Sequence, residues 1–254
     1  MITTASPDGA TGGLDAASSA SFDDFSYITG AAHHAHLVHW VDLVETPSVR
    51  AMRARRAAIA AALGAAASRD ALDEAIRQLS KDTPAVHANA RRVARTSAAV
   101  GRVMGFTGRE ADELERAALL HDIGGLVLPS SLARTGTPRP GVESRLARLR
   151  RTLGTGMLEA TPALRRIAAI VAAVGERWDG SGFPAGRAGD AIPRAARIIA
   201  VAAAHDEMTH PAAAATAASD DDDANVELVR RAGRDFDPDV VRAWLRAMEN
   251  VSCF

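Results

Sequence analysis

The amino-acid sequence predicts an all-α protein. Hydrophobic residues make up 47% of the chain but aromatic residues only 4%, so the core must be built mainly from Leu, Ile, Val and Ala. Runs typical of strands are scarce, and apolar residues recur at helical spacing between loops that contain Gly or Pro. A length of 254 residues suits one domain with a helical extension.

The N-terminal part of the chain is predicted to contain two regions of different character. Residues 1–30 are small and polar with many Gly and Ser residues, which predicts a disordered tail. Residues 31–80 predict an N-terminal unit of three helices, with breaks at Thr46-Pro47 and near Gly64 and a third helix that opens at Ser68. The remaining residues, 81–250, are predicted to form the main domain.

The main domain is predicted to begin with two adjacent helices. The first runs from Pro84 to Met104 and stops at Gly105, a typical left-handed cap. The second opens at Thr107, which is expected to form a capping box with Glu110, and ends at His121-Asp122. Further helices are predicted at about 141–152, 162–174, 194–209, 224–232 and 238–249.

Charge and composition argue against several classes of partner. The chain has 30 Lys and Arg residues against 31 Asp and Glu, which gives a net charge of -1 and makes nucleic-acid binding unexpected. No stretch of about 18 apolar residues predicts a membrane span, and residues 1–30 do not resemble a secretion signal. The single cysteine, Cys253, excludes an internal disulfide, and we expect a cytoplasmic protein.

The first motif with chemical potential is His121-Asp122-Ile123-Gly124. An imidazole and a carboxylate at a helix end, followed by a glycine turn, can hold a metal ion. The alternative is a buried pair whose polar atoms are satisfied by each other or by nearby amides. The pair alone does not decide between them.

A second group of motifs makes the interpretation specific. The sequence ERWDGSGFP at 176–184 is followed by Ile192-Pro193 and an alanine-rich helix, and then by FDPDVV at 236–241. The order of these motifs after HDIG resembles the HD-GYP family of HD-superfamily phosphohydrolases over residues 84–249, with Phe183 in place of the family tyrosine. The resemblance implies an all-helical domain whose His and Asp ligands hold two or three ions, usually iron or manganese, for hydrolysis of cyclic di-GMP.

The ligand set of the family is largely missing from this chain. Only His121 and Asp122 match it, and Gly125 replaces the family lysine. With Gly156 setting the register of the basic helix, the other ligand positions fall on Asn89, Thr152, Val174, Gly175 and Ala203. We therefore predict a degenerate member with a residual metal site at His121 and Asp122 and no expected cofactor. The alternative is an active phosphohydrolase with a reduced iron or manganese site.

By contrast, the loop that gives the family part of its name is intact. It comprises Trp178, Asp179, Gly180, Ser181, Gly182, Phe183 and Pro184. The resemblance implies docking of GGDEF-type signalling proteins here, whereas the alternative is that Trp178 and Phe183 simply pack to hold the fold. We predict a signalling module of bacterial cyclic-dinucleotide pathways that acts by protein contacts or ligand sensing.

Three further clusters of charged or titratable residues indicate a function less specifically. The histidines His33, His34, His36 and His39 could bind metal or sense pH, or simply decorate a helix end. The tract from Asp220 to Asp223 is expected to be a solvated loop that favours the next helix. Six arginines could cradle a phosphate or form solvated helix faces: Arg145, Arg148, Arg150, Arg151, Arg165 and Arg166.

Overall fold

The computed structural model describes residues 47–66, 68–128, 142–211 and 218–251. Within these ranges the chain is helical and contains no β-strand, which confirms the all-α prediction. The helices are α1 (Pro47–Ala65), α2 (Arg69–Leu79), α3 (Pro84–Val103), α4 (Gly108–Leu120), α5 (Val142–Ala160), α6 (Arg165–Ala173), α7 (Arg194–Thr209), α8 (Asp221–Arg231) and α9 (Pro238–Val251). Short 3₁₀ helices lie at Ile123–Leu126, Pro162–Leu164 and Gly189–Ala191. The predicted tail at 1–30 and the histidine cluster at 33–39 lie outside the described residues.

Most predicted helix ends agree with the structure because they depend on local chemistry. Ser68 caps α2 by accepting a hydrogen bond from the amide of Ala71. Gly105 follows α3 with a φ of 80°, as a left-handed cap requires. The acidic tract forms the first turn of α8 rather than a loop, and the Asp220 side chain caps that helix at the amide of Asp223.

The predicted capping box at Thr107 is wrong. Thr107 is the N-cap of α4, but its side chain makes no capping hydrogen bond. The amide of Glu110 donates instead to the Thr107 carbonyl, because Gly108 begins the helix with a φ of 51°. The Glu110 carboxylate lies 3.9 Å from Arg194 and is not turned back to the cap.

The helices surround α7, which packs against α3, α4, α6, α8 and α9. Helices α1 and α2 contribute Ile59, Leu63, Leu72 and Ile76 to the same buried core, so the N-terminal helices are packed onto the main domain. No helix in the described part of the chain is long and apolar enough to cross a membrane.

Two glycines let α5 cross the 3₁₀ turn Ile123–Leu126 in backbone contact. A Cβ atom on Gly124 would overlap the carbonyl oxygen of Arg150 and lie 2.8 Å from the amide nitrogen of Gly154. A Cβ atom on Gly154 would in turn lie 3.0 Å from the Gly124 nitrogen. Only glycine permits this approach, which brings the middle of α5 against the end of α4.

Candidate functional site

The HD pair lies where α4 ends and the 3₁₀ turn begins. His121 is 9% exposed, and its Nδ1 is 2.9 Å from the carbonyl oxygen of Ala118. Since a carbonyl can only accept, Nδ1 carries the proton and Nε2 keeps the lone pair of a neutral imidazole. Burial lowers the pKa of His121, which also favours the neutral ring. The carboxylate of Asp122, by contrast, is 29% exposed.

Arg150 is the residue of α5 that reaches this pair. Its Nε lies 3.3 Å from Oδ1 of Asp122, although the geometry does not make a hydrogen bond. Arg150 therefore makes the close approach to Asp122, although the resemblance assigns a family ligand position to Thr152. In this part of α5, Gly154 makes the close backbone contact with Gly124.

Arg151 fills the other side of the site. A Cβ atom on Gly175 would overlap Nη1 of this arginine, so the guanidinium occupies the space that a side chain at 175 would need. The pKa of Arg151 is lowered because the side chain is buried, and the charges of Asp122, Glu176 and Glu207 offset this only in part. Its Nε is buried without a hydrogen-bond partner. Of the predicted arginine cluster, Arg148, Arg165 and Arg166 are exposed, as expected for solvated helix faces.

The other predicted ligand positions are not directed to a common point. Val174 is buried in the apolar core, and Ala203 packs against it. Asn89 donates a hydrogen bond of 2.6 Å to Oδ2 of the buried Asp206. Arg92 also binds Asp206 through Nε and Nη2, so the carboxylate is satisfied by two neighbouring side chains of α3.

These residues do not fit a metal centre with two or three ions. In the described ranges, no three His, Cys, Asp or Glu side chains are grouped so that they could hold an ion. A guanidinium has no lone pair to donate, and its positive charge repels a cation. The side chain that reaches Asp122 from α5 is that of Arg150, which is a cation and not a metal ligand.

A separate cavity of about 1170 Å³ lies between α3, α7, α8 and α9. His205 lines it and packs on Trp244 with ring centroids 4.7 Å apart. The Nε2 atom of His205 is buried without a hydrogen-bond partner, and Asp221 Oδ1 is 3.6 Å away. Burial lowers the pKa of His205. This cavity could not be predicted from the sequence because it forms only when α3 packs beside α7, α8 and α9.

The intact loop is held from within by the carboxylate of Glu176. This buried side chain accepts hydrogen bonds from the amides of Ala185 at 2.7 Å and Arg187 at 3.1 Å, which closes the loop on itself. A Cβ atom on Gly182 would overlap the backbone nitrogen of Arg177, so the turn requires glycine. Glu176 and Gly182 therefore fix the backbone of the loop.

The aromatic side chains of the loop are also anchored. Arg197 lies over the ring of Trp178 at 5.4 Å, and Arg148 lies over that of Phe183 at 5.3 Å. Asp179 accepts a hydrogen bond from the amide of Ser181, and both residues are exposed. The loop thus combines a fixed shape with polar groups that solvent or a partner can reach.

Comparison with known proteins agrees with the motifs. The HD domain family model matches residues 74–240. The chain is 29% identical over 172 residues to a cyclic di-GMP phosphodiesterase of Thermotoga maritima, covering 65% of this chain and 45% of that protein. It is 32% identical over 158 residues to the cyclic di-GMP phosphodiesterase response regulator RpfG of Xanthomonas campestris, covering 61% and 41%.

A third relative is the 3'3'-cGAMP-specific phosphodiesterase 2 of Vibrio cholerae, which is 30% identical over 178 residues. That match covers 68% of this chain and 33% of the relative, so the chain spans less than half the length of each of these three proteins. The family match covers well over half of the chain and includes both the HD pair and the intact loop. The chain therefore belongs to the HD domain family, as a member of its HD-GYP type.

Proposed function

We propose that this chain is a degenerate HD-GYP module that acts in cyclic-dinucleotide signalling without hydrolysing the nucleotide. The observation that carries the proposal is the placement of Arg150 at the HD pair, with Arg151 filling the space beside Gly175. Hydrolysis in this family type depends on cations that activate a water and neutralise charge on the phosphodiester. The guanidinium group of Arg150 at the HD pair opposes the entry of such cations.

The signalling part of the proposal is supported by the relatives and by the loop. The relatives are named as phosphodiesterases for cyclic di-GMP or cGAMP, which links this chain to the same class of second messenger. Asp179, Ser181 and Pro184 are exposed on a loop whose backbone is fixed by Glu176. A preformed polar turn suits recognition of a protein partner, such as a GGDEF-type protein, because little ordering is needed on binding. We place this activity in the cytoplasm, where cyclic dinucleotides act.

One observation favours a second candidate function. His121 keeps a lone pair on Nε2 and Asp122 is partly exposed, so the pair retains the two donors of a minimal metal site. A single ion bound there could support weak phosphohydrolase activity. The two functions differ in whether turnover requires a metal held by Asp122.

Turnover measurements on the purified chain test the proposal. Protein prepared without chelator is assayed with cyclic di-GMP and with an aryl phosphodiester, with and without added Mn²⁺ or Fe²⁺, beside an Asp122→Asn variant. We expect no turnover above background in any sample. Metal-dependent turnover that disappears in Asp122→Asn, while circular dichroism shows an intact fold, would establish the second function and refute the first.

A further inference from the structure

We propose that the cavity between α3, α7, α8 and α9 is a docking surface for a basic amphipathic helix of a partner protein. The cavity lies apart from the HD pair and from the loop at 178–184, since none of their residues lines it. The inference therefore goes beyond the proposed function and does not depend on whether the HD site hydrolyses a nucleotide. It gives the chain a second contact face with its own chemistry.

The first support is the size of the cavity. Its volume of about 1170 Å³ exceeds the roughly 300 to 1,000 Å³ that is typical of pockets for small molecules. The lining residues run from Ala202 to His210 on α7 and from Asp221 to Val229 on α8. At 1.5 Å per residue, each of these walls is about 12 Å long, which accommodates about two turns of a partner helix.

Val226 and Val229 give the surface an exposed apolar ridge. They lie one helical turn apart on α8 and are 68% and 52% exposed, and in the described ranges the only other exposed large hydrophobic side chain is Val103. Leu245 and Met248 of α9 also line the cavity and are partly buried against the core. Apolar side chains at this spacing beside a cavity suit the apolar anchors of an amphipathic helix.

The charged groups of the cavity favour a cationic partner. Four carboxylates and two arginines line it, and one of these arginines, Arg92, is already bound to Asp206. Arg95 is thus set against three remaining carboxylates. Two of them, Asp222 and Glu249, are exposed and form no ion pair with any residue that the structure describes. An acidic surface of this kind attracts lysine and arginine side chains and steers their approach.

His205 offers a specific position for one cationic side chain. Its buried Nε2 has no hydrogen-bond partner among the described residues, and the distance of 3.6 Å to Oδ1 of Asp221 is too long for a hydrogen bond. A lysine ammonium entering here can donate to the carboxylate and, in the tautomer with its lone pair on Nε2, to the imidazole. Because a buried polar atom without a partner is costly, this pairing adds to the affinity for a basic helix.

Peptide binding to the full chain tests the inference. The probes are two fluorescein-labelled peptides of about 18 residues with the same helical pattern of leucines, one with lysine and one with glutamate at the polar positions. Fluorescence anisotropy gives the Kd of each peptide at low and at physiological ionic strength. The variants are Val226→Gln combined with Val229→Gln, and separately Glu249→Gln. The matched controls, Val103→Gln and Glu110→Gln, carry the same changes outside the cavity.

We expect the lysine peptide to bind at least about tenfold more tightly than the glutamate peptide, and to bind less tightly as the ionic strength rises. The double valine variant should weaken its binding by about tenfold or more, because two apolar contacts are lost. Glu249→Gln should weaken it about twofold to fivefold, and each control by less than about twofold. Both valines are exposed, so circular dichroism should show an unchanged fold.

The inference is overturned if neither peptide binds, if the two peptides bind equally, or if the double valine variant binds the lysine peptide as tightly as Val103→Gln does. Sedimentation of the unmodified chain adds one more contrary outcome. A dimer that the double valine variant fails to form would assign the surface to a second copy of this chain. None of these results depends on turnover of cyclic di-GMP, so the proposed function stands or fails separately.

Discussion

Replacing Gly124 by alanine should separate α5 from the HD turn. The added Cβ would overlap the Arg150 carbonyl oxygen and lie 2.7 Å from its carbonyl carbon and 2.8 Å from the Gly154 nitrogen. All three obstacles are backbone atoms, so no side-chain rotation can relieve them. The helix must retreat by roughly 1 Å, a gap that forfeits a quarter to a half of each affected van der Waals contact.

The cost can be estimated from the side chains that α5 buries. Leu153 and Met157 are 2% and 1% exposed, and both would lose part of their packing. We expect the free energy of unfolding to fall by about 3 kcal/mol, at the upper end for an overpacked core. Urea unfolding followed by circular dichroism measures this value.

Gly125→Ala is the matched control for this experiment. Its Cβ would lie 3.4 Å from Oδ2 of Asp122, an approach that a small side-chain adjustment can accommodate, so we expect a change within about 0.5 kcal/mol. If Gly124→Ala is as stable as Gly125→Ala, the close crossing of α5 over the HD turn is wrong. The placement of Arg150 at the HD pair would then lose its structural basis.

Two further predictions concern the loop and the cavity. Glu176→Ala should lower the free energy of unfolding by about 2 kcal/mol and speed proteolytic cleavage near residues 184–188, because two amides lose their acceptor. Glu176→Gln keeps one carbonyl acceptor and should lose less stability. Equal cleavage rates in the unmodified protein and both variants would contradict this role. Burial lowers the pKa of His205 below its ordinary 6.5, so on acidification the unfolded chain binds a proton at a higher pH than the folded protein does. The free energy of unfolding should therefore fall as the pH drops from 6.5 toward the pKa of the folded protein. His205→Gln should reduce this slope in urea unfolding at pH 7 and about pH 5.5, and an unchanged slope would show that His205 is not buried as a neutral ring.

Much of the fold could be predicted because helix ends are encoded locally. The helix Arg194–Thr209 was predicted at the residues where it occurs, between Pro193 and the turn at His210. Gly105 and Ser68 marked their caps correctly for the same reason. The capping box failed although its sequence pattern was present, because the left-handed Gly108 changed the geometry of the first turn.

The candidate site could be predicted only in part. The resemblance pointed to the HD pair and to the positions where family ligands are expected. The position of α5 against this pair depends on the contact between Gly124 and Gly154, which are 30 residues apart. Nothing local distinguishes Arg150 and Arg151, which turn inward, from the exposed Arg148 on the same helix. The available signal was Gly175, whose missing side chain leaves room for a long cation.

The most direct test of this account is the number of Mn²⁺ ions bound per chain, measured by equilibrium dialysis on folded protein prepared without chelator. The arginine-filled site predicts less than one tightly bound ion, with the same value for Asp122→Asn. One tightly bound ion or more per chain, lost in the Asp122→Asn variant while the fold is kept, would contradict the account.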